Sequence, residues 1–276
     1  MNTIKVTTIF GYTARYLHIY NANKPSLILL PGAFMNFDSL KYHSSRLSQN
    51  FNYFILELPG TGDLSPLPVD KPVSFLGDCL SYFAQNHIAK PFYLLACSYG
   101  TAAALDFASK NSHLLKRLIL AGSMRNIPES DWPKMLDITV HSLTDKEAFA
   151  EQSLKIVCSD KCFSKRQQAI RKVMLNNARQ FSAERRRSFA NNTLRLLTSF
   201  VPKVEQIHCP TLCITGEYDC YTTPELCKEL ADSIPQGEFI NMADTDHMFI
   251  YDKPRESMDI IMQFLTKELL PMERAA

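Results

Sequence analysis

A serine stands at a position where a strand would run directly into a helix. In Ala96-Cys97-Ser98-Tyr99-Gly100 it separates the apolar run Phe92–Cys97 from the helix-forming Thr101-Ala102-Ala103-Ala104-Leu105. Such a turn is strained and lifts the serine hydroxyl above the end of the sheet. It accepts only small residues two positions to either side, and Ala96 and Gly100 meet that requirement. Cys97 is the competing nucleophile, but its neighbours at the same offsets, Leu95 and Tyr99, are bulky. The following helix would also bring unpaired N–H groups and the positive end of its dipole to the nucleophile.

A serine hydroxyl needs a base, and the base needs an orienting carboxylate. Of seven histidines, His18 falls on an early strand, His43, His87 and His113 within or beside helices, and His141 in a helical stretch. His208 precedes a strand, at the sheet end opposite Ser98. His247, in Ala243-Asp244-Thr245-Asp246-His247, follows the last strand and so emerges on the same edge as Ser98. Asp219 is the first choice of carboxylate, in Gly216-Glu217-Tyr218-Asp219 after the preceding strand, with Glu217 the fallback. The loop after Leu118–Gly122 offers no acid, and Asp244 and Asp246 read as solvated loop acids or caps.

A tetrahedral intermediate also needs two N–H donors. Tyr99 supplies one as the residue after the nucleophile. Ala33, in Pro31-Gly32-Ala33-Phe34, supplies the other, and Gly32 allows close backbone approach or serves as a plain turn glycine.

These residues need a parallel sheet beneath them, and the chain has its rhythm. Apolar runs occur at Lys5–Phe10, Tyr16–Tyr20, Ser26–Pro31, Tyr53–Pro59, Phe92–Cys97 and Leu118–Gly122. Helical stretches fall at Phe37–Gln49, Pro72–Ile88 and Tyr99–Ser112. From Arg125 to Lys203 the pattern is helical throughout, with Ser164 a plausible N-cap and Ile170, Val173, Met174 and Ala178 at helical spacing. Strands return at Thr211–Thr215 and Glu238–Met242, with helices at Pro224–Ile234 and Pro254–Leu270. The expected architecture is α/β: a mostly parallel central sheet with helices on both faces and an all-helical cap inserted between core strands six and seven. Residues 1–124 and 204–276 form the two parts of the core, and 125–203 the insertion.

Composition sets outer bounds. The chain has 276 residues, 46% apolar and 21% charged, long for one domain and short for two. No apolar run reaches the roughly 18 residues of a membrane span, and the alternating MNTIKVTTIF does not read as a signal peptide. Eight cysteines without regular spacing read as reduced thiols in a cytoplasmic protein. The clusters Cys158/Cys162 and His208/Cys209/Cys213 do not supply four ligands, so no metal or other cofactor is expected.

Charge is lopsided. Residues 161–203 hold eleven basic residues and one acid, Glu184, a net +10 that leaves −8 for the rest. The block reads either as a solvated helical face or as a docking surface for an acidic partner, carried by Arg166, Arg171, Lys172, Arg179, Arg185, Arg186 and Arg187. Interleaved aromatic platforms and overall basicity are absent, which argues against nucleic acid. Met135, Leu136, Phe149, Leu154, Met174 and Phe181 in the insertion could line an acyl pocket or simply form core.

Together these motifs resemble the α/β-hydrolase superfamily across essentially the whole chain: Pro31-Gly32, Pro59-Gly60-Thr61-Gly62, the turn at Ser98, Gly216–Asp219 and His247. Four positions depart from its commonest pattern. Proline precedes Gly32 in place of histidine, Ala96 replaces a glycine, Glu57 replaces aspartate, and Ser65 falls one residue late. Within the superfamily, Gly32-Ala33, Glu57-Leu58-Pro59, Ala96–Gly100 and Tyr218-Asp219 followed by Tyr221-Thr222-Thr223 look closest to rhamnolipid-pathway 3-hydroxyacyl-condensing enzymes. The basic insertion resembles that of the biotin-pathway esterase that demethylates pimeloyl-carrier protein. The resemblance implies a serine hydrolase that cleaves an ester or thioester of an acyl chain on acyl carrier protein or coenzyme A. Transfer of the same acyl group to a substrate hydroxyl is the alternative. A non-catalytic small-ligand receptor is the third reading.

Overall fold

The computed structural model describes residues 4–88, 91–162, 164–199 and 201–267. The eight expected strands form one sheet of order β1-β2-β4-β3-β5-β6-β7-β8. The hairpin β1 (Ile4–Ile9) and β2 (Tyr12–Ile19) turns through Phe10 and Gly11, both at positive φ. It joins β4 (Asn52–Glu57) antiparallel. The remaining strands, β3 (Ser26–Leu30), β5 (Phe92–Cys97), β6 (Leu115–Ala121), β7 (Thr211–Gly216) and β8 (Gly237–Met242), run parallel with β4 and each other.

Strand alternation explains why both faces need helices. On β3, Ile28 and Leu30 pack into one core while Leu27 and Leu29 pack into another, and β5 divides Leu94 and Ala96 from Leu95 and Cys97 in the same way. The first core is covered by α2 (Val73–His87), α3 (Tyr99–Asn111) and α8 (Pro224–Asp232). The second is covered by α1 (Lys41–Leu47) and α10 (Pro254–Thr266), with the single turn α9 (Phe249–Asp252) beside them. The C-terminal part of the expected helix, residues 268–270, lies outside the described residues.

Between β6 and β7 run α4 (Trp132–Thr144), α5 (Lys146–Val157), α6 (Lys165–Arg179) and α7 (Ala183–Thr198). Their starts are chemically marked. Asp145 accepts the N–H groups of Glu147 and Ala148, Ser182 accepts that of Arg185, and Ser164 forms a reciprocal capping box with Gln167. A third apolar cluster, with Met135, Ile138, Phe149 and Phe181, holds these helices together. Leu136 is 44% exposed and lies outside that cluster.

Candidate active site

Ser98 sits at φ 46° and ψ −118°, in the left-handed half of backbone space that a β-carbon disfavours. The surroundings enforce this turn. A β-carbon on Gly100 would lie 2.8 Å from the carbonyl oxygens of Leu30 and Pro31, and one on Gly32 would lie 3.1 Å from Cβ of Ser98. The Ser98 N–H is tied to the Ala121 carbonyl at 2.8 Å, which fixes the nucleophile loop to β6. Cys97 points into the core instead. It is 4% exposed, and burial pushes its thiol pKa up to about 12, far from a reactive thiolate.

Loops from three strand ends meet at the serine. His247 Nε2 lies 2.9 Å from Ser98 Oγ, and His247 Nδ1 lies 2.7 Å from Asp219 Oδ2. That spacing assigns the Nδ1 proton to the carboxylate and leaves Nε2 free to accept from the serine. Asp219 is 3% exposed and fully engaged. Its Oδ1 accepts the N–H groups of Tyr221 and Thr222, both at 2.9 Å, while the hydroxyls of Thr215 and Thr222 each lie 2.7 Å from Oδ2. Burial alone would raise the carboxyl pKa, but His247 and these donors hold it below the usual value. Burial likewise works against the imidazolium. The Asp219 charge and hydrogen bond outweigh it, so the His247 pKa stands above the ordinary 6.5.

Thr215, Thr222 and Gly122 belong to this site and were not singled out as site residues from the sequence. Gly122, at φ +66°, leaves room for the imidazole. Only the Tyr221-Thr222-Thr223 string hinted at the carboxylate's partners. Glu217, the fallback acid, is exposed and accepts the N–H of Asp244 at 2.8 Å, away from the imidazole. Asp246 is not a solvated acid. At 3% exposure it accepts the N–H of Met248 and, at 3.0 Å, that of Ser159 in the helical insertion. It therefore ties the residue beside His247 to the insertion.

The N–H of Tyr99 opens α3 and has no intrahelical partner, and that of Ala33 makes no hydrogen bond among the described residues. Both residues line a narrow chamber at Ser98. The main cavity, about 380 Å³, runs from Ser98 and His247 between the sheet edge and the insertion. Leu154, Ile170, Val173, Met174, Ala178 and Phe181 wall it on the insertion side. Helical spacing in α6 thus serves a cavity; Met135 both packs in the insertion and lines the narrow chamber at Ser98, whereas Phe149 packs inside the insertion.

A family model for the alpha/beta hydrolase family matches residues 27–259. The chain belongs to that family. Solved structures agree on the fold. An alpha/beta hydrolase enzyme from a Medee basin deep-sea metagenome library is 18% identical with a TM-score of 0.84, covering 98% of this chain and 100% of that one. The enol-lactonase from Burkholderia xenovorans is 18% identical with a TM-score of 0.80 over 95% of this chain and 100% of its own. A thermophilic esterase from Thermogutta terrifontis is 20% identical with a TM-score of 0.75 over 96% and 98%. No curated protein matches this chain in sequence.

The basic block of the chain does not form one free face. Arg195 is fully buried and donates to the carbonyls of Leu67, Pro68 and Lys71, with Tyr99 Oη 3.3 Å away. Arg185 pairs with Asp63 at 2.6 Å and stacks on Phe181, and Asp63 in turn approaches Arg15, which holds the buried Glu57. Desolvation pushes Glu57 up to about 7 despite that arginine. Arg186 donates to the carbonyls of Ser142 and Phe181, Arg179 pairs with Glu147 at 2.7 Å, and Arg171 lies 3.7 Å from Asp160. Arg166 donates to the Tyr251 carbonyl. Lys165, Lys172 and Arg187 are exposed and form no ion pair among the described residues. Among the described residues no group of three metal-ligating side chains could hold an ion, and no helix is long and apolar enough to cross a membrane.

Proposed function

We propose that this chain is a serine-dependent hydrolase of acyl esters or thioesters that works through an acyl-Ser98 intermediate. The observation that carries this reading is the hydrogen-bonded file Ser98–His247–Asp219 at the end of an apolar cavity. In the proposed reaction His247 Nε2 takes the Ser98 proton as Oγ attacks the carbonyl carbon. The resulting oxyanion is stabilised by the N–H groups of Ala33 and Tyr99, and Asp219 stabilises the imidazolium. Collapse breaks the bond to the leaving alcohol or thiol, which receives the proton from His247. Water, deprotonated by the same imidazole, then releases the acid.

The apolar walls of α5 and α6 support an acyl chain as the cavity's occupant. Acyl carrier protein or coenzyme A is the proposed carrier. Exposed Lys165, Lys172 and Arg187 on α6 and α7 support it, as does the resemblance to carrier-dependent esterases and condensing enzymes. Water is the proposed acceptor because the structural neighbours are named as a hydrolase enzyme, an enol-lactonase and an esterase. Eight free cysteines support a cytoplasmic setting for this chemistry.

The experiment is hydrolysis of p-nitrophenyl hexanoate by wild type and Ser98→Ala. The variant is expected to lose on the order of 10³-fold or more in rate with unchanged melting, since only the attacking oxygen is removed. Retention of a tenth of the activity would overturn Ser98 as nucleophile.

A further inference from the structure

The main cavity does not end in a wall. Ser39, Arg166, Ile250 and Tyr251 line both it and a second, open depression of about 370 Å³ on the far side from Ser98. The second space adds Arg255 and His43 to Arg166, and no acidic residue lines either. Arg166 uses Nε and Nη2 to hold the Tyr251 carbonyl, at 3.1 and 2.7 Å, which fixes its guanidinium at the junction. Its Nη1 group remains for a ligand.

Arg255 is exposed and makes no ion pair or side-chain hydrogen bond among the described residues. It also stands in the first turn of the 13-residue α10, the end of a helix where a cation is least favoured. An anion between the two arginines would offset that arrangement. His43 contributes a different group. It is 4% exposed, its Nε2 donates to the Ile250 carbonyl, and its Nδ1 is buried with no partner. Burial lowers the pKa of this imidazole, so the wall that His43 adds to the depression brings no competing acid.

We propose that Arg166 and Arg255 form an anion subsite that holds a phosphate or carboxylate on the far end of a substrate whose reacting carbonyl lies at Ser98. The inference rests on the ester or thioester hydrolase reading and deepens it. The substrate is then an apolar or amide-bearing arm with a charged terminus, not a neutral ester. Two chemistries meet this description: a phosphorylated leaving arm such as that of coenzyme A, and an acyl chain ending in a carboxylate.

Two pairs of substrates separate the cases: hexanoyl-coenzyme A against the neutral hexanoyl thioester of N-acetylcysteamine, and the mono-p-nitrophenyl ester of adipic acid against p-nitrophenyl hexanoate. In wild type, kcat/KM for an anionic substrate should exceed that of its neutral counterpart by about tenfold or more, as expected for a charge-assisted hydrogen bond. Arg255→Glu should bring that ratio to about one through KM, and Arg166→Gln should reduce it. A preference confined to coenzyme A assigns the site to phosphate, and one confined to the adipate ester assigns it to carboxylate. Binding of coenzyme A and of adipate, measured by calorimetry, reports on the subsite without turnover. No turnover of any substrate, with binding that Arg255→Glu abolishes, would remove the hydrolase reading and keep the subsite. Equal losses on charged and neutral substrates, or binding indifferent to Arg255, would overturn the subsite.

Discussion

A side chain at residue 122 and the imidazole of His247 compete for one volume: a β-carbon on Gly122 would lie 2.8 Å from Cε1 of His247. The same residue has φ +66°, which a β-carbon also disfavours. Gly122→Ala should therefore push the base off the serine. A displacement of about 1 Å is enough to lower kcat by the order of 10²-fold. Steady-state hydrolysis of a p-nitrophenyl ester should show the loss in kcat with little change in KM. An unchanged kcat would mean that the imidazole does not need this position.

Asp219→Asn should be far more damaging than Glu217→Gln. Asparagine can hold His247 in the wrong tautomer and cannot stabilise the imidazolium, a change worth up to about 10⁴-fold in a comparable triad. Glu217 holds the Asp244 N–H and does not reach the imidazole, so its amide should cost less than about tenfold. Parallel kinetics on the two purified variants decide between them.

The pH profile follows from the same pair. The base must be neutral, so kcat/KM should fall on the acid side through a pKa above 6.5. Removing the Asp219 charge should move that limb to lower pH. Stability runs the other way for His247. Its raised folded pKa contributes stability that is fully present below pH 6.5 and lost as pH rises through the folded value. The melting difference between wild type and His247→Gln should narrow as pH rises across that window. A difference that widens would contradict the assigned ion pair.

Arg195 should behave as a structural cation. Arg195→Met leaves the Lys71 carbonyl without its donor and takes one of two donors from the carbonyls of Leu67 and Pro68, which keep Asn191 Nδ2 and the Lys71 N–H. The loss should be about 1–3 kcal/mol, read as a fall in chemical-denaturation midpoint. A midpoint within experimental error of wild type would show that water or another donor replaces the guanidinium.

The three consecutive arginines should separate. Arg185→Glu breaks the Asp63 pair and the Phe181 stack, so it should lower melting and slow every substrate alike. Arg187→Glu, with Lys172→Glu, alters exposed charge only and should raise KM for an acyl-carrier-protein substrate several-fold, an effect that fades with salt. No change in KM at low salt would return these two residues to a solvated face.

Strand–helix order and the ends of β5 were readable because a short apolar run bounded by a serine turn has few other readings. Helix α1 was expected from Phe37 but begins at Lys41, because Asn36 and Ser39 close a turn on each other's polar groups first. The single turn α9 is too short for any periodicity to show. Ser98, Asp219 and His247 were readable as residue types that must share one sheet edge. Thr215 and Thr222 were not, since a threonine's role depends on how a loop folds over a neighbouring carboxylate. The basic block shows the limit most clearly. Sequence counts charges, but the rotation of α7 decides that Arg195 is buried while Arg187 faces water.

Because β6 and β7 are parallel neighbours, the four-helix insertion is also the path by which the chain returns across the sheet. Its descending limb is part of the core: Val204 and Ile207 are fully buried, and the Pro210 carbonyl accepts from Leu118. Excising residues 125–203 would leave residues 122–124 and 204–210, ten in all, to join these strands. Parallel strands need a crossover of about a dozen residues or more. A graft that exchanges the insertion for another must therefore carry its own return path, and must also present an amide to Asp246 where Ser159 now does.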